Sequence, residues 1–183
     1  MGKLTIFDFI SLNGFYKGPG DDISWNMHAK EETLFSEDRM KNGNSLLFGR
    51  VTYEMMAGYW QQEDVIINDP IIAKGMNSAE KFVISKTLDK ADWPGTTLLK
   101  GDLVEEVKKL KQRDKDITVL GSGSVITQLA DAGLIDLYQV MIFPVLLPAG
   151  TPVFSNIANN IRLKCVSSKT FKSGTVVLDY EPI

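Results

Sequence analysis

Short apolar runs recur along the chain, each closed by turn-forming residues, with stretches of helical spacing between them. Lys3–Ile10 (KLTIFDFI), Ser45–Phe48, Lys81–Ser85 (KFVIS), Ile117–Leu120 (ITVL) and Leu137–Phe143 read as buried strands, and Leu98–Leu99 as a shorter one. Asn26–Asn42 carries Met27, Leu34, Phe35 and Met40 at loosely helical spacing and ends before Gly43, a suitable C-cap. A second helix follows Gly49 and carries Tyr53, Met55, Met56 and Tyr59. Asp102–Arg113 places Leu103, Val107 and Leu110 on one face behind Asp102, an N-cap type. Val125–Ala132 is a fourth helix, stopped by Gly133.

Between these elements, Ser11–Ile23 (SLNGFYKGPGDDI) is a long Gly/Asn/Asp/Pro-rich loop of the kind that often covers a ligand. Gln61–Asn77, interrupted by Pro70, reads as irregular; Asp89–Thr97 and Pro144–Pro152 read as loops. Ile161–Phe171 and Thr175–Tyr180 alternate in polarity about Lys172-Ser173-Gly174, which predicts a hairpin. Strands alternating with helices predict an α/β domain on a largely parallel sheet, with the hairpin adding antiparallel strands at one edge. No linker, repeat or low-complexity segment divides residues 1–183, so a single domain is expected.

Composition narrows the functional classes. A net charge of −3 with no basic stripe disfavours nucleic acid as a partner. No apolar run reaches the roughly 18 residues of a membrane span, and Asp8 interrupts the first strand too early for a secretory signal. A cytoplasmic protein is expected. Cys165 is the only cysteine, so no intrachain disulfide forms; it lies in an alternating stretch, where strand packing is expected. His28 is the only histidine, which leaves no basis for a zinc site, and no metal is expected.

Three strand ends carry turn chemistry: Gly49-Arg50-x-Thr52, Ser85-Lys86 and Gly121-Ser122-Gly123-Ser124. Ligands of open parallel sheets bind outside the carboxyl ends of the strands, where all three lie. A helix N-terminus offers unpaired N–H groups, and a guanidinium and hydroxyls beside it suit a phosphate. The glycine turn resembles a diphosphate cradle but lacks the full G-x-G-x-x-G and its distal acid. Taken singly, each piece reads better as a solvated strand-end turn. Together they read as one anion site, in which Arg50 and Lys86 favour the 2′-phosphate of NADP(H) over the bare ribose of NAD(H).

In this order the stretches ISLNGFYKGPGDDISW, LLFGRVTYEMM, FVISKTL and ITVLGSGSVITQLADAGLIDLYQVMIFPVLLPAGTPVF, with the hairpin, resemble the dihydrofolate reductase-like superfamily. The nearer resemblance is to the reductase domain of bacterial riboflavin biosynthesis and its stand-alone relatives, and it spans the chain. It implies a three-layer α/β/α fold about a twisted, mostly parallel sheet of about eight strands, with NADPH across the strand ends. Gly49, Arg50 and Thr52 would meet the adenosine-side phosphates, Ser85 and Lys86 the 2′-phosphate, and Gly121, Ser122, Gly123 and Ser124 the diphosphate. The Ser11–Trp25 loop would cover the nicotinamide, with Trp25 near the ring. Asn13 and Glu31 would lie on the substrate side. Relatives are often homodimers, and Leu137–Phe154 is a candidate interface.

Two departures bear on the substrate. Asn13 stands where relatives commonly carry Asp, and Val119-Leu120 fill the stretch where the riboflavin-pathway reductases tend to carry an acid. The pterin-reducing enzymes place a carboxylate on the helix after the tryptophan; five residues past Trp25 is Lys30, with Glu31 and Glu32 adjacent. The resemblance implies hydride transfer from NADPH to a C=N or C=O of a small heterocyclic or sugar-amine substrate, with 5-amino-6-(5-phosphoribosylamino)uracil as one candidate. The alternative is a non-catalytic NADPH-binding or sensing protein. Proton donors to consider are Asp8, Asp21, Glu31, Glu32 and a bound water, and the sequence singles out none of them.

Overall fold

The fold is laid out from β1 (Leu4–Ser11), which lies near the middle of an eight-stranded sheet in the computed structural model of residues 1–183. β2 (Phe15–Lys17) and α1 (Lys30–Met40) follow it. Then come β3 (Ser45–Gly49), α2 (Arg50–Trp60), α3 (Glu63–Asn68), α4 (Pro70–Ser78), β4 (Lys81–Ile84) and β5 (Thr96–Leu99). The second half runs α5 (Leu103–Lys111), β6 (Ile117–Val119), α6 (Gly123–Asp131), β7 (Leu137–Phe143), β8 (Thr151–Pro152), β9 (Leu163–Thr170) and β10 (Val176–Pro182).

The sheet order is β5-β4-β3-β6-β1-β7-β10-β9, with parallel pairing from β5 through β7. β10 pairs antiparallel with both β7 and β9, which is the expected hairpin. The strands carry apolar residues on both faces because helices cover both. Leu4, Ile6, Leu47, Ile117 and Val119 pack with α5 and α6. Leu46, Phe48 and Val83 pack on the other face with Tyr53, Met76 and Trp93. Phe7, Met141, Phe143, Phe171 and Val177 form a third cluster, against which Phe35 of α1 packs. The architecture is therefore the expected three-layer α/β/α, and no helix is long and apolar enough to cross a membrane.

The structure differs from the sequence reading in several places. Gln61–Asn77 is largely helical: α3 and α4 bury Val65, Ala73 and Met76. Pro70 opens α4 instead of breaking a helix, because a proline in the first turn lacks only an N–H that would go unpaired there. The helix expected over Asn26–Asn42 begins only at Lys30, since Ala29 is extended. The loops 11–23 and 144–152 are tied to each other by the antiparallel pair β2–β8. Cys165 does lie on a strand, but that strand is the sheet edge and the thiol is exposed. The segment Leu137–Phe154 also divides: β7 is internal, between β1 and β10, and only the loop beyond it presents apolar surface, at Leu146 (68% exposed) and Phe154 (40%).

Two side chains show how the α2–α4 layer is fastened to the sheet. Lys81 is fully buried and donates to the carbonyls of Met76, Asn77 and Ala79 at 2.9, 3.1 and 2.7 Å, closing the C-terminal end of α4. Trp93, 1% exposed, donates through Nε1 to Asn77 Oδ1 at 2.7 Å, and its backbone N–H donates to the Tyr53 hydroxyl at 2.9 Å.

Candidate functional site

Beyond the Ile6–Val119 pair, β1 and β6 part company. β1 continues beside β7 as far as Ser11–Phe143, whereas β6 turns into α6 through Leu120-Gly121-Ser122. Because α1–α4 and α5–α6 cover opposite faces, this parting is the topological switch point at the carboxyl edge of the sheet, where ligands of such sheets bind.

The glycine turns of α2 and α6 meet there. Gly49 N–H donates to the Gly121 carbonyl at 3.0 Å. A Cβ on Gly49 would lie 2.7 Å from Ser122 Oγ and 3.0 Å from Val125 Cγ2. A Cβ on Gly121, whose φ is +103°, would lie 3.2 Å from Oγ1 of the buried Thr52. The Gly121–Ser122 peptide is cis. A Cβ on Gly123 would lie 3.1 Å both from the Tyr16 ring and from the Val153 carbonyl. The glycines thus let protein meet protein: they bring the two turns, and the β2–β8 ribbon above them, into contact.

What the turns leave open is backbone. Neither Gly49 nor Ser122 caps its helix with a side chain, so the first N–H groups of the 11-residue α2 and, at Gly123 and Ser124, of the 9-residue α6 are free for a ligand. By contrast, Asp102 caps α5, accepting from Val104 and Glu105 at 3.0 and 3.1 Å. Two uncapped helix ends held side by side concentrate positive potential, and that fits the phosphates of a dinucleotide.

The expected cationic and hydroxyl pieces surround this edge in different states. Arg50 begins α2 and is half-exposed, and its Nη1 donates to Glu54 Oε2 at 2.8 Å. Lys86 is exposed just beyond β4. The Ser85 hydroxyl is turned inward, accepting from the N–H groups of Thr87 and Leu88, and so shapes the turn that carries Lys86. Ser122 and Ser124 share a hydrogen bond of 3.0 Å between their hydroxyls at the mouth of α6.

On the α1 face the edge is aromatic. Trp25 packs edge-on to Phe143 at 5.8 Å, and His28 lies 4.7 Å from Phe9 and 5.4 Å from Phe143 between ring centroids. Trp25 Nε1 donates to the Asp22 carbonyl at 3.2 Å. Packing pushes the His28 pKa down, an effect that Glu32 and Asp69 partly offset. Glu32 is fully buried and is hydrogen-bonded by the Ser173 hydroxyl. Burial pushes its carboxyl up, but the bonds from Ser173, its own N–H and Thr175, with His28 nearby, outweigh that and hold it below the usual glutamate range. Glu31 reaches the same hairpin turn, accepting from the Lys172 N–H at 2.9 Å.

Asn13 sits apart from these groups. Its Nδ2 donates to the Leu147 carbonyl at 2.8 Å, while its Oδ1 accepts from the Leu147 N–H at 3.2 Å and from Ser11 Oγ at 2.8 Å. An amide both donates and accepts, and a carboxylate does not; this explains why asparagine works at this position. Sequence reasoning passed over His28 as a site residue, although its position three residues after Trp25 was there to be read.

The first-strand acid is the most perturbed group at the edge. Asp8 Oδ1 accepts from the Phe9 N–H at 2.9 Å, and Oδ2 is buried with no partner. Burial raises its pKa from 3.8 to about 7, with the Phe9 N–H pulling the other way.

A chain with these features belongs to the RibD C-terminal domain family, whose description matches residues 2–177. It is 29% identical over 172 residues to the uncharacterised protein YyaP of Bacillus subtilis, covering 93% of this chain and 90% of YyaP. The fold is shared with a riboflavin biosynthesis protein described as putative from Shewanella sp. PV-4 (TM-score 0.76, 19% identity, 99% of each chain). It is also shared with the Thermotoga maritima diaminohydroxyphosphoribosylaminopyrimidine deaminase/5-amino-6-(5-phosphoribosylamino)uracil reductase (0.71, 17%). That alignment covers all of this chain and 57% of the Thermotoga protein. Dihydrofolate reductase from Enterococcus faecalis, solved with NADP(H), has the same fold (0.66, 14%, 99% and 96% of the chains). Family and fold together support a reductase-type function.

Proposed function

We propose that this protein is an NADPH-dependent reductase that acts on a C=N or C=O of a small heterocyclic or sugar-amine substrate. The observation that carries this reading is the pair of uncapped helix N-termini joined by the Gly49–Gly121 hydrogen bond. The N–H groups of α2 and α6 and the hydroxyls of Ser122 and Ser124 would hold the cofactor's phosphates. Arg50 and Lys86 would select the 2′-phosphate, and the 11–25 segment would exclude water above the reacting atoms. NADPH, once bound, supplies hydride; the protein orients the partners and provides the proton.

The family and the uracil-reductase activity of the Thermotoga relative make a ribosylamino-pyrimidine one substrate to test. On the protein side, Phe9, Trp25 and His28, backed by the buried Phe143, offer flat, half-apolar surface for a planar ring.

The test is cofactor binding to the purified protein, followed through tryptophan fluorescence. NADPH should bind, and more tightly than NADH. Failure of both to bind would overturn the reading. Binding followed by NADPH oxidation with the ribosylamino-pyrimidine, a dihydropterin or a simple imine would separate a reductase from a cofactor sensor.

A further inference from the structure

Asp8 has no structural employment that explains it. It sits two residues past the last β1–β6 pair, opposite Val140 of β7, where the sheet opens at the switch point. Strand alternation puts its side chain on the α6 face with Leu4 and Ile6. Its Oδ2 is buried and unpartnered, a state that proteins seldom leave without a ligand or a function. No nearby charge holds it ionised. β7 brings Val140 and, two residues earlier, Tyr138; the first turn of α6 brings hydroxyls and uncapped N–H groups but no charged side chain. β2 brings Tyr16 and Lys17, whose ammonium is engaged by Asp21 at 3.2 Å. The forces on Asp8 reduce to burial and the Phe9 N–H.

We propose that Asp8 holds the proton for the reduction and releases it in response to the oxidation of the bound nicotinamide. The inference rests on the reductase reading above. The Asp8 O–H bond breaks as the substrate carbon gains hydride from NADPH and forms its C–H bond. The proton crosses the opening between β1 and β6 beyond the Ile6–Val119 pair and forms the N–H or O–H bond at the substrate heteroatom; Asp8 is left as carboxylate, and water later returns a proton to it. The positive charge of the oxidised nicotinamide favours that carboxylate, since an opposite charge close by lowers a carboxyl pKa by about 1–3. The buried acid thereby couples proton release to hydride loss.

Linkage gives a test that needs no substrate. The dissociation constants of NADP⁺ and NADPH are measured for wild type and Asp8→Asn from pH 6 to pH 8. The 2′-phosphate titrates alike in both cofactors and drops out of their ratio. In wild type the NADP⁺/NADPH affinity ratio should rise by roughly tenfold across this range. Calorimetry in buffers of different ionisation enthalpy should show more proton released on NADP⁺ than on NADPH binding at pH 6, a difference absent in Asp8→Asn. Asp8→Asn, checked for folding by circular dichroism, should bind both cofactors with a ratio independent of pH. A flat ratio in wild type, or an unchanged rise in Asp8→Asn, would overturn the proposal while leaving the reductase reading intact. Failure of both cofactors to bind at any pH would overturn both. Carbon-13 NMR of the Asp8 carboxyl in wild type gives an independent readout: NADP⁺ should lower its titration midpoint and NADPH should not.

Discussion

The backbone N–H of Gly49 donates to the carbonyl of Gly121 at 3.0 Å, so the start of α2 and the start of α6, which are more than 70 residues apart in sequence, form one surface. Gly49→Ala would drive a Cβ to 2.7 Å from Ser122 Oγ and 3.0 Å from Val125 Cγ2. Overpacking of this kind costs about 1–3 kcal/mol. The variant should melt lower and lose NADPH affinity by more than the stability loss explains, because the clash separates the two helix ends. Thermal unfolding and cofactor titration on the same sample check both.

Arg50 is already paired with Glu54. Arg50→Ala and Lys86→Ala should each weaken NADPH binding about 10- to 150-fold, as expected for a lost charge-assisted contact of about 1.5–3 kcal/mol. A residue at the 2′-phosphate should show a smaller loss for NADH. Glu54→Gln should act in the opposite direction and tighten NADPH binding, because it frees the guanidinium and removes a negative charge. Fluorescence titrations of the three variants with both cofactors measure this.

The folded-state pKa of Asp8, about 7, lies above its unfolded value of 3.8. The contribution of Asp8 to stability is therefore fully present below about pH 3.8 and is lost as pH rises to about 7. The gap corresponds to at most ~4 kcal/mol. Relative to wild type, Asp8→Asn should be more stable at pH 8 than at pH 5, and urea denaturation at the two pH values would show the difference.

Lys81→Met keeps most of the apolar stem but leaves the carbonyls of Met76, Asn77 and Ala79 without their donor. Buried acceptors left unpaired cost about 1–3 kcal/mol each, and relaxation toward water lowers the total. A loss of ~2–4 kcal/mol in chemical denaturation is expected, with cofactor affinity little changed, because Lys81 is at the opposite edge of the sheet from the glycine turns.

Asn13→Asp would replace a donor to the Leu147 carbonyl by a carboxylate facing it. The site is exposed, so the stability loss should be small, about 1 kcal/mol. Amide exchange should nonetheless rise across residues 144–150, since that loop loses its tie to residues 11–14.

Much of the fold was legible in the residues themselves. The strands around Phe7, Leu47, Val83 and Val119 announce themselves as short apolar runs, and the cap of α5 is read directly from Asp102. The helices α3 and α4 were not legible, because Pro70 is ambiguous in sequence: it breaks a helix interior but suits a helix start, and only the burial of Val65, Ala73 and Met76 decides between the two. The candidate site was legible as a set of turns, but the work of individual residues within it was not. Ser85 shapes a turn, Glu31 holds the Lys172 N–H, and the missing side chains of Gly49 and Gly121 make room for protein.

The sequence by itself determined the alternation of strand and helix, the parallel sheet with its terminal hairpin, and the gathering of glycines and cations at strand ends. These are consequences of local periodicity and backbone freedom, which act over a few residues. The tertiary structure alone decided that Asp8 Oδ2 is buried without a partner, that Asn13 grips Leu147 across 134 positions of sequence, and that two helix starts open side by side. Burial and hydrogen-bond partners come from segments far away in the chain, and a side chain's charge state and role follow from those surroundings.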